Sequence, residues 1–525
     1  MRHSGSVLAA ALLAAAIPGL AAAQSLTIAT GGAATSLDPH FFNAAPNSAL
    51  TAHIFDRLVD RDHEQRVVPH LAESWRRLSD TEWEFTLRRG VTWHDGRPFT
   101  ADDVVFTFAR APNVPNSPGG FGPALRSVKE VQALDATTLR LVTHYPNPIL
   151  LPELGGIHIV SRHVGAGATT EDYNSGRAAI GTGPYRLAQH RPGDRTDFTR
   201  HEGWWGGTEP WARVAVRFVP TDPARTAALL AGDVDLIDQV SPTDLPRLRR
   251  DARVAIHETG SLRIVHIGPD WSRSGPLPHV TDNAGQPLPV NPFQDLRVRR
   301  ALNVAINRDA IVERAMDGMG TSTAQWLPAG TYSHDPATRP VAYDPEAARR
   351  LLAEAGYPQG FRIVLHTMND RFPNDARVAQ AVAQMWSRVG VQTAVEALPW
   401  ASYSARAARQ EFSMSMGSWG STTGEGLSYL VSVLSSFDRA ARTGAANHRR
   451  VSDPELDALM RRASATMDDA AREAVLHEAV RRYADQVWNF PILHLGNVWA
   501  SRRGMTYVAR KDERTVAMGL RAAPR

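Results

Sequence analysis

The sequence predicts a mixed α/β protein of more than one domain, and three observations carry that expectation. A length of 525 residues exceeds what one ordinary core organises, so two or three domains are expected. Apolar residues make up 43% and charged residues 21%, a globular composition rather than a disordered one. Stretches that alternate with period two are interleaved with helical stretches bounded by capping residues, the pattern of a layered α/β architecture.

Taken in order, the first segment is MRHSGSVLAAALLAAAIPGLAAAQS. It has Arg2, an apolar run over residues 7–20 and a small-x-small ending at Ala21, Ala22 and Ala23. This predicts a secretory signal peptide over 1–23, cleaved before Gln24. The run falls short of the roughly 18 to 20 residues that cross a bilayer. The chain contains no cysteine, which excludes both a disulfide scaffold and a lipid-modified cysteine at the cleavage site. A freely diffusing periplasmic protein is expected. The formal charge is only +4, and Lys129 and Lys511 are the sole lysines among scattered arginines, so no nucleic-acid partner is expected.

WEFTLR (83–88), RVAVRFVP (213–220) and FRIVLHT (361–367) read as strands. In YDPEAARRLLAEAGYP, Asp344 suits the N-cap, Pro345 the first helical position, Gly356 the left-handed cap and Pro358 the exit. Asp453-Pro454 repeats that start. Val298, Ala301, Leu302, Ala305 and Ile306 fall on one helical stripe. A helix from about Ala376 closes at Gly390, with Val378, Val382, Met385 and Val389 inward, and the strand VQTAVEAL follows. Two Pro- and Gly-rich stretches, 111–123 and 274–292, read as loops, the second bordering a domain.

VTWHDGRPFTADDVVF (91–106) packs His94, Asp95, Asp102 and Asp103 among aromatic residues and raises the question of catalysis. Each polar residue has a structural job. Asp95-Gly96 is a turn signal after a strand, and Thr100 with Asp103 forms a capping box. No GxSxG, HExxH or phosphate-binding loop occurs, GTGPY (181–185) is a turn into a strand, and the 19 histidines show no metal-ligand spacing. No catalytic residue, metal or cofactor is expected.

Several segments together resemble one family, the periplasmic solute-binding proteins of ABC transporters, family 5, the class of dipeptide, oligopeptide and nickel carriers. They are SLDPH (36–40), LAESW (71–75), WEFTLRRGVTWHDGRPFTADDVVFTF, GTGPYRL, GWWGG (203–207), AALLAGDVDLI, LRVRRALNVAINRDAIV and AARRLLAEAGYPQGF. The resemblance implies a periplasmic-binding-protein type II-like fold of three domains, with two lobes on a hinge and an extra inserted domain. Domain I would combine 24–59, 176–263 and 487–525; domain II would be 60–175, containing the 91–106 stretch away from the ligand; domain III would be 264–486. The implied function is capture of a peptide or peptide-like small solute in an interlobe cleft, by a monomer, for delivery to permease subunits in the inner membrane.

The same resemblance places Asn43, Ala44 and Ala45 at the pocket wall through backbone, Leu262 and Arg263 where the chain crosses between lobes, and Phe121 at an aromatic lid. Trp400 and Trp419 match pocket tryptophans, and Gly420 follows the second in the Gly-rich loop GSWGSTTGEG. Peptide-binding relatives carry an aspartate three residues after that tryptophan, where this chain has Thr422, and some carry an arginine three residues before it, where this chain has Met416. Glu425 is the candidate replacement for the missing acid, and Arg263 the candidate cation. A secreted hydrolase and a non-transport sensor or chaperone on the same scaffold are the alternatives.

Overall fold

The computed structural model describes residues 25–523; the expected signal peptide lies outside them. One twelve-stranded sheet runs through both lobes. Its order is Val280–Thr281, Phe361–Met368, Met414–Gly420, Val254–Pro269, Phe490–Arg502, Leu236–Ile237, Ser25–Thr30, Arg213–Phe218, Arg195–Arg200 and Tyr185–Arg191. Gly320–Ser322 pairs with Phe490–Arg502, and Val391–Leu398 with Phe361–Met368. The two long central strands therefore belong to both lobes. They pair antiparallel from Val254↔Arg502 to Gly260↔Gly496, lose register across Ser261, Leu262 and Arg263, and resume at Ile264↔His494.

Residues 72–143 build a separate four-stranded antiparallel sheet, ordered Ala72–Ser79, Glu82–Leu87, Thr138–Thr143 and Val128–Ala133. Its core, including Phe85, Trp93, Phe99, Leu139 and Leu141, is distinct from those of the two lobes. No helix among the described residues is long and apolar enough to cross a membrane.

The expected elements form for the expected reasons. Asp344 accepts the Ala347 N–H at 2.8 Å and starts the helix Pro345–Glu354, and Asp453 likewise caps Pro454–Ala465. Val298, Ala301, Leu302, Ala305 and Ile306 are all buried. In Asp375–Arg388 the inward side chains are Val378, Val382 and, fully buried, Trp386, whose indole N–H donates to the Leu302 carbonyl at 2.9 Å. Met385 is only partly covered.

The 91–106 stretch is architecture. Residues 91–99 form a tight turn rather than a regular strand, closed by a Thr92–Pro98 bridge and with Gly96 at φ 89°. The strand expected there stops at Leu87, because the backbone groups bond elsewhere: the His94 N–H donates to the Gly181 carbonyl at 2.8 Å. The His94 ring lies between two backbone groups of GTGPY, Nε2 on the Gly183 carbonyl at 3.0 Å and Nδ1 on the Gly181 N–H at 3.3 Å. Burial pulls its pKa down to about 4, so the neutral ring serves as a fixed linker. Asp103 accepts from the Thr100 N–H and the Arg162 N–H at 3.0 and 2.8 Å.

GTGPY packs so closely on the preceding helix end that a Cβ at Gly181 would lie 1.8 Å from the Ile54 carbonyl oxygen. Gly181→Ala should therefore destabilise the protein by about 1–3 kcal/mol, read as a lowered urea midpoint, whereas Gly193→Ala adds only φ strain in open space and should be milder.

Candidate functional site

A cavity of about 990 Å³ lies between the lobes. Ser261, Leu262 and Arg263, where the strand Val254–Pro269 loses register with its partner, line it. With the ladder interrupted there, the Leu262 N–H turns to the Lys511 carbonyl at 3.3 Å and the Leu262 carbonyl accepts from the Ser421 N–H at 3.3 Å. Arg263 stays paired with Gly420 in the strand Met414–Gly420. Both Leu262 and Arg263 line the cavity, as do Asn43, Ala44, Ala45, Phe121, Trp400, Trp419, Gly420 and Thr422. The fold thus brings ten of the eleven expected residues to one cleft.

Their chemistry differs from expectation in three places. Glu425 does not line the cavity. It is buried, and its carboxylate pairs with Arg472 at 2.8 Å and accepts the Leu427 N–H at 3.0 Å. The loop turns it inward because Arg472 needs a buried counter-charge. Arg263 is not a free cation: it holds Glu513 through two bonds of 3.0 and 3.2 Å. Burial would raise the Glu513 carboxyl, but Arg263 outweighs it and holds the group below the usual range. Phe121, expected at an aromatic lid, is only 2% exposed and packs edge-on against His40 at 6.0 Å, as part of the cavity wall.

The inserted domain is also not remote from the cleft. Arg61 donates to the Thr422 carbonyl and fixes the Gly-rich loop, while Ile149 packs on the same hydrophobic cluster as Trp419. Trp419 itself meets Tyr429 edge-on at 6.4 Å. Trp400 is 44% exposed and stacks on Tyr403 at 6.0 Å.

Sequence reasoning missed Arg371, which lines the cavity with its guanidinium 5.2 Å over the Trp400 ring. Its segment is locked in place: the Trp400 N–H donates to Asp370 at 2.7 Å, and Asp375 accepts the Arg371 N–H at 3.0 Å. The available signal was a charged, Pro-containing loop, NDRFPND, leaving a buried strand. Most other charges at the cavity are committed to structural pairs. Asp512 holds Arg510 and Arg514 at 2.9 and 2.7 Å, Lys511 holds Glu64 at 2.7 Å, and Asp238 accepts the Gly31 N–H at 2.8 Å.

A Ser161–His163–Asp95 string, with His163 2.7 Å from Asp95, resembles a hydrolytic relay in composition only. Ser161 is buried, caps the helix Arg162–Gly165 by accepting the Val164 N–H, and does not line the cleft.

The family described as bacterial extracellular solute-binding proteins, family 5 middle, matches residues 66–441. The chain belongs to this family. It is 29% identical over 478 residues to heme-binding protein A of Haemophilus influenzae, covering 85% of this chain and 82% of that protein. It is 27% identical over 502 residues to the dipeptide-binding protein of Escherichia coli, covering 90% and 89%. The solved structure of HbpA2 from Haemophilus parasuis superposes with a TM-score of 0.81 at 24% identity, over 95% of this chain and all of that one. The fold of this family member is the type II-like periplasmic-binding arrangement, and the two relatives named from sequence are binding proteins.

Because the Glu425–Arg472 pair is buried, Glu425→Gln should lower stability by about 3 kcal/mol in chemical denaturation. The folded variant should keep its ligand affinity, since the carboxylate faces away from the cleft.

Proposed function

We propose that the protein is the periplasmic substrate-binding component of an ABC uptake transporter, capturing a peptide or peptide-like small solute and delivering it to a membrane permease. The observation that carries this is the cleft itself. It lies where two lobes meet at an interrupted strand crossing, and it is walled by Trp400 and Trp419 with Arg371 free of any ion pair among the described residues. Aromatic walls supply large apolar area at low rotamer cost, and a few fixed polar groups then orient the solute. Arg371 is the group for an anionic end such as a carboxylate, in the place the sequence assigned to Arg263.

The proposed domains are 24–59, 176–263 and 487–525 for the first lobe, 60–175 for the inserted domain and 264–486 for the second lobe. The separate four-stranded sheet and its own core support the middle assignment. Closure would be a hinge motion about Ser261–Arg263. The protein acts as an exported monomer, without a cofactor, and the permease recognises its closed form.

The test is a thermal-shift and calorimetry panel of dipeptides, tripeptides including glutathione, and haemin. A cognate solute at a hundred times its dissociation constant should add about 2.7 kcal/mol of stability with 1:1 stoichiometry. A panel that leaves the melting temperature unmoved would count against solute capture, and turnover of a bound member would restore the hydrolase alternative. With a binding member in hand, Arg371→Ala should cost about 1.5–3 kcal/mol of affinity for solutes with a free carboxylate. Trp419→Ala should weaken binding of all members while far-ultraviolet circular dichroism stays unchanged.

A further inference from the structure

Among the described residues, the cleft presents one carboxylate that forms no ion pair. Glu153 lines the cavity from the inserted domain, on a short helix, Leu150–Leu154, anchored by the fully buried Leu150 and Leu154. Its Oε2 accepts one hydrogen bond, from the Asn147 amide at 2.7 Å. Asn147 is itself fixed, donating to Ser127 Oγ at 2.8 Å and accepting the Ile149 N–H at 3.1 Å. No arginine, lysine or histidine among the described residues forms an ion pair with Glu153, and its Oε1 has no hydrogen-bond partner there.

The surrounding charges do not satisfy it. The cleft's other carboxylates are taken: Glu513 by Arg263, Asp512 by Arg510 and Arg514, Asp194 by Arg191 at 4.0 Å, and Asp238 by backbone and Thr515. Glu425 is spent on Arg472 and its charge repels that of Glu153. Arg61 is directed at the Thr422 carbonyl. Arg126 also lines the cavity and its charge draws the Glu153 carboxyl down, but it is an exposed side chain with no hydrogen bond or ion pair to Glu153. Burial outweighs the Asn147 bond and Arg126, and pushes the Glu153 carboxyl up to about 7. A half-buried carboxylate held rigid in a cavity with an open oxygen is an incomplete ion pair.

We propose that Glu153 is the acidic anchor of the cleft, its carboxylate receiving the primary ammonium or guanidinium of the solute in place of the acid that Thr422 lacks. This rests on the solute-capture function above and makes the solute dipolar. Its cationic end is held by the inserted domain at Glu153, and its anionic end by the second lobe at Arg371. A solute gripped at both ends would draw these two walls together.

The test uses wild type and Glu153→Gln, freed of carried solute by denaturation on resin and refolding. Each is offered a defined dipeptide library and the same library N-acetylated, with retained members quantified by mass spectrometry. Wild type should retain free-amine members at least about tenfold better than acetylated ones, and Glu153→Gln should lose that preference. Equal retention of the two libraries by wild type, or an undiminished preference in Glu153→Gln, would overturn the anchor while leaving solute capture standing. Retention of neither library would remove both.

Melting of the empty proteins gives an independent arm. The folded carboxyl titrates near 7, above its ordinary value, so the folded state binds the extra proton, and stability falls as pH rises from about 4.5 through 7. Glu153→Gln should melt higher than wild type at pH 8 and equal to it at pH 5. A lower melting temperature at pH 8 would mean that Arg126 already pairs with Glu153, and would overturn the proposal.

Discussion

The structure depends on one antiparallel pairing. Val254–Pro269 and Phe490–Arg502 carry strands of the first lobe on one side and strands of the second on the other. A continuous ladder would make the two halves a single rigid sheet. The register break across Ser261, Leu262 and Arg263 does two things at once. It frees Leu262 to bond to Lys511 and Ser421 across the crossing while Arg263 stays paired with Gly420, and it puts the weakest pairing of these two strands at the hinge proposed for closure. On the proposed closure, cleft and hinge share one cause, the local failure of pairing between these two strands.

The electrostatics of the cleft follow a second rule. The chain is rich in arginine, and several guanidinium groups at the cleft are already held, whereas Arg126, Arg371 and Arg442 make no ion pair among the described residues. Arg263 binds Glu513, Arg510 and Arg514 bind Asp512, and Arg61 binds the Thr422 carbonyl. These pairs fasten the C-terminal segment and the inserted domain to the hinge, and each is screened or neutralised before a solute arrives. On the proposed function, selectivity falls to the charges left over, because an unpaired group at a cavity wall gains most from a partner brought by a ligand.

The motifs that identify the family turn out to be fasteners. In SLDPH, Asp38 takes both nitrogens of Arg110 at 2.9 and 2.7 Å and the Thr170 hydroxyl at 2.9 Å, tying the first strand region to the inserted domain. In GWWGG, Trp205 donates to Asp56 at 2.7 Å, and in GTGPY, Thr182 donates to the same carboxylate at 3.0 Å. His94 belongs to this set. Such residues are legible because a turn, a cap or a buried pair has a local signature in residue type and spacing.

The sequence by itself determined the elements and the family: the Asp-Pro helix starts at Asp344 and Asp453, the buried stripe from Val298 to Ile306, and the motif order that places Trp419 and Leu262 at a cleft. Those features are written in short-range pattern, where capping geometry and hydrophobic period act within a few residues. Only the tertiary structure decided which charges are free. Glu425 and Arg263 have the right chemistry and neighbourhood in sequence, but partners 47 and 250 residues away claim them. Glu153, a lone acid in the apolar run ILLPEL, and Arg371 are left over by the same long-range pairing. Whether a charge is spent or available is a property of its three-dimensional neighbours, which one-dimensional spacing does not encode.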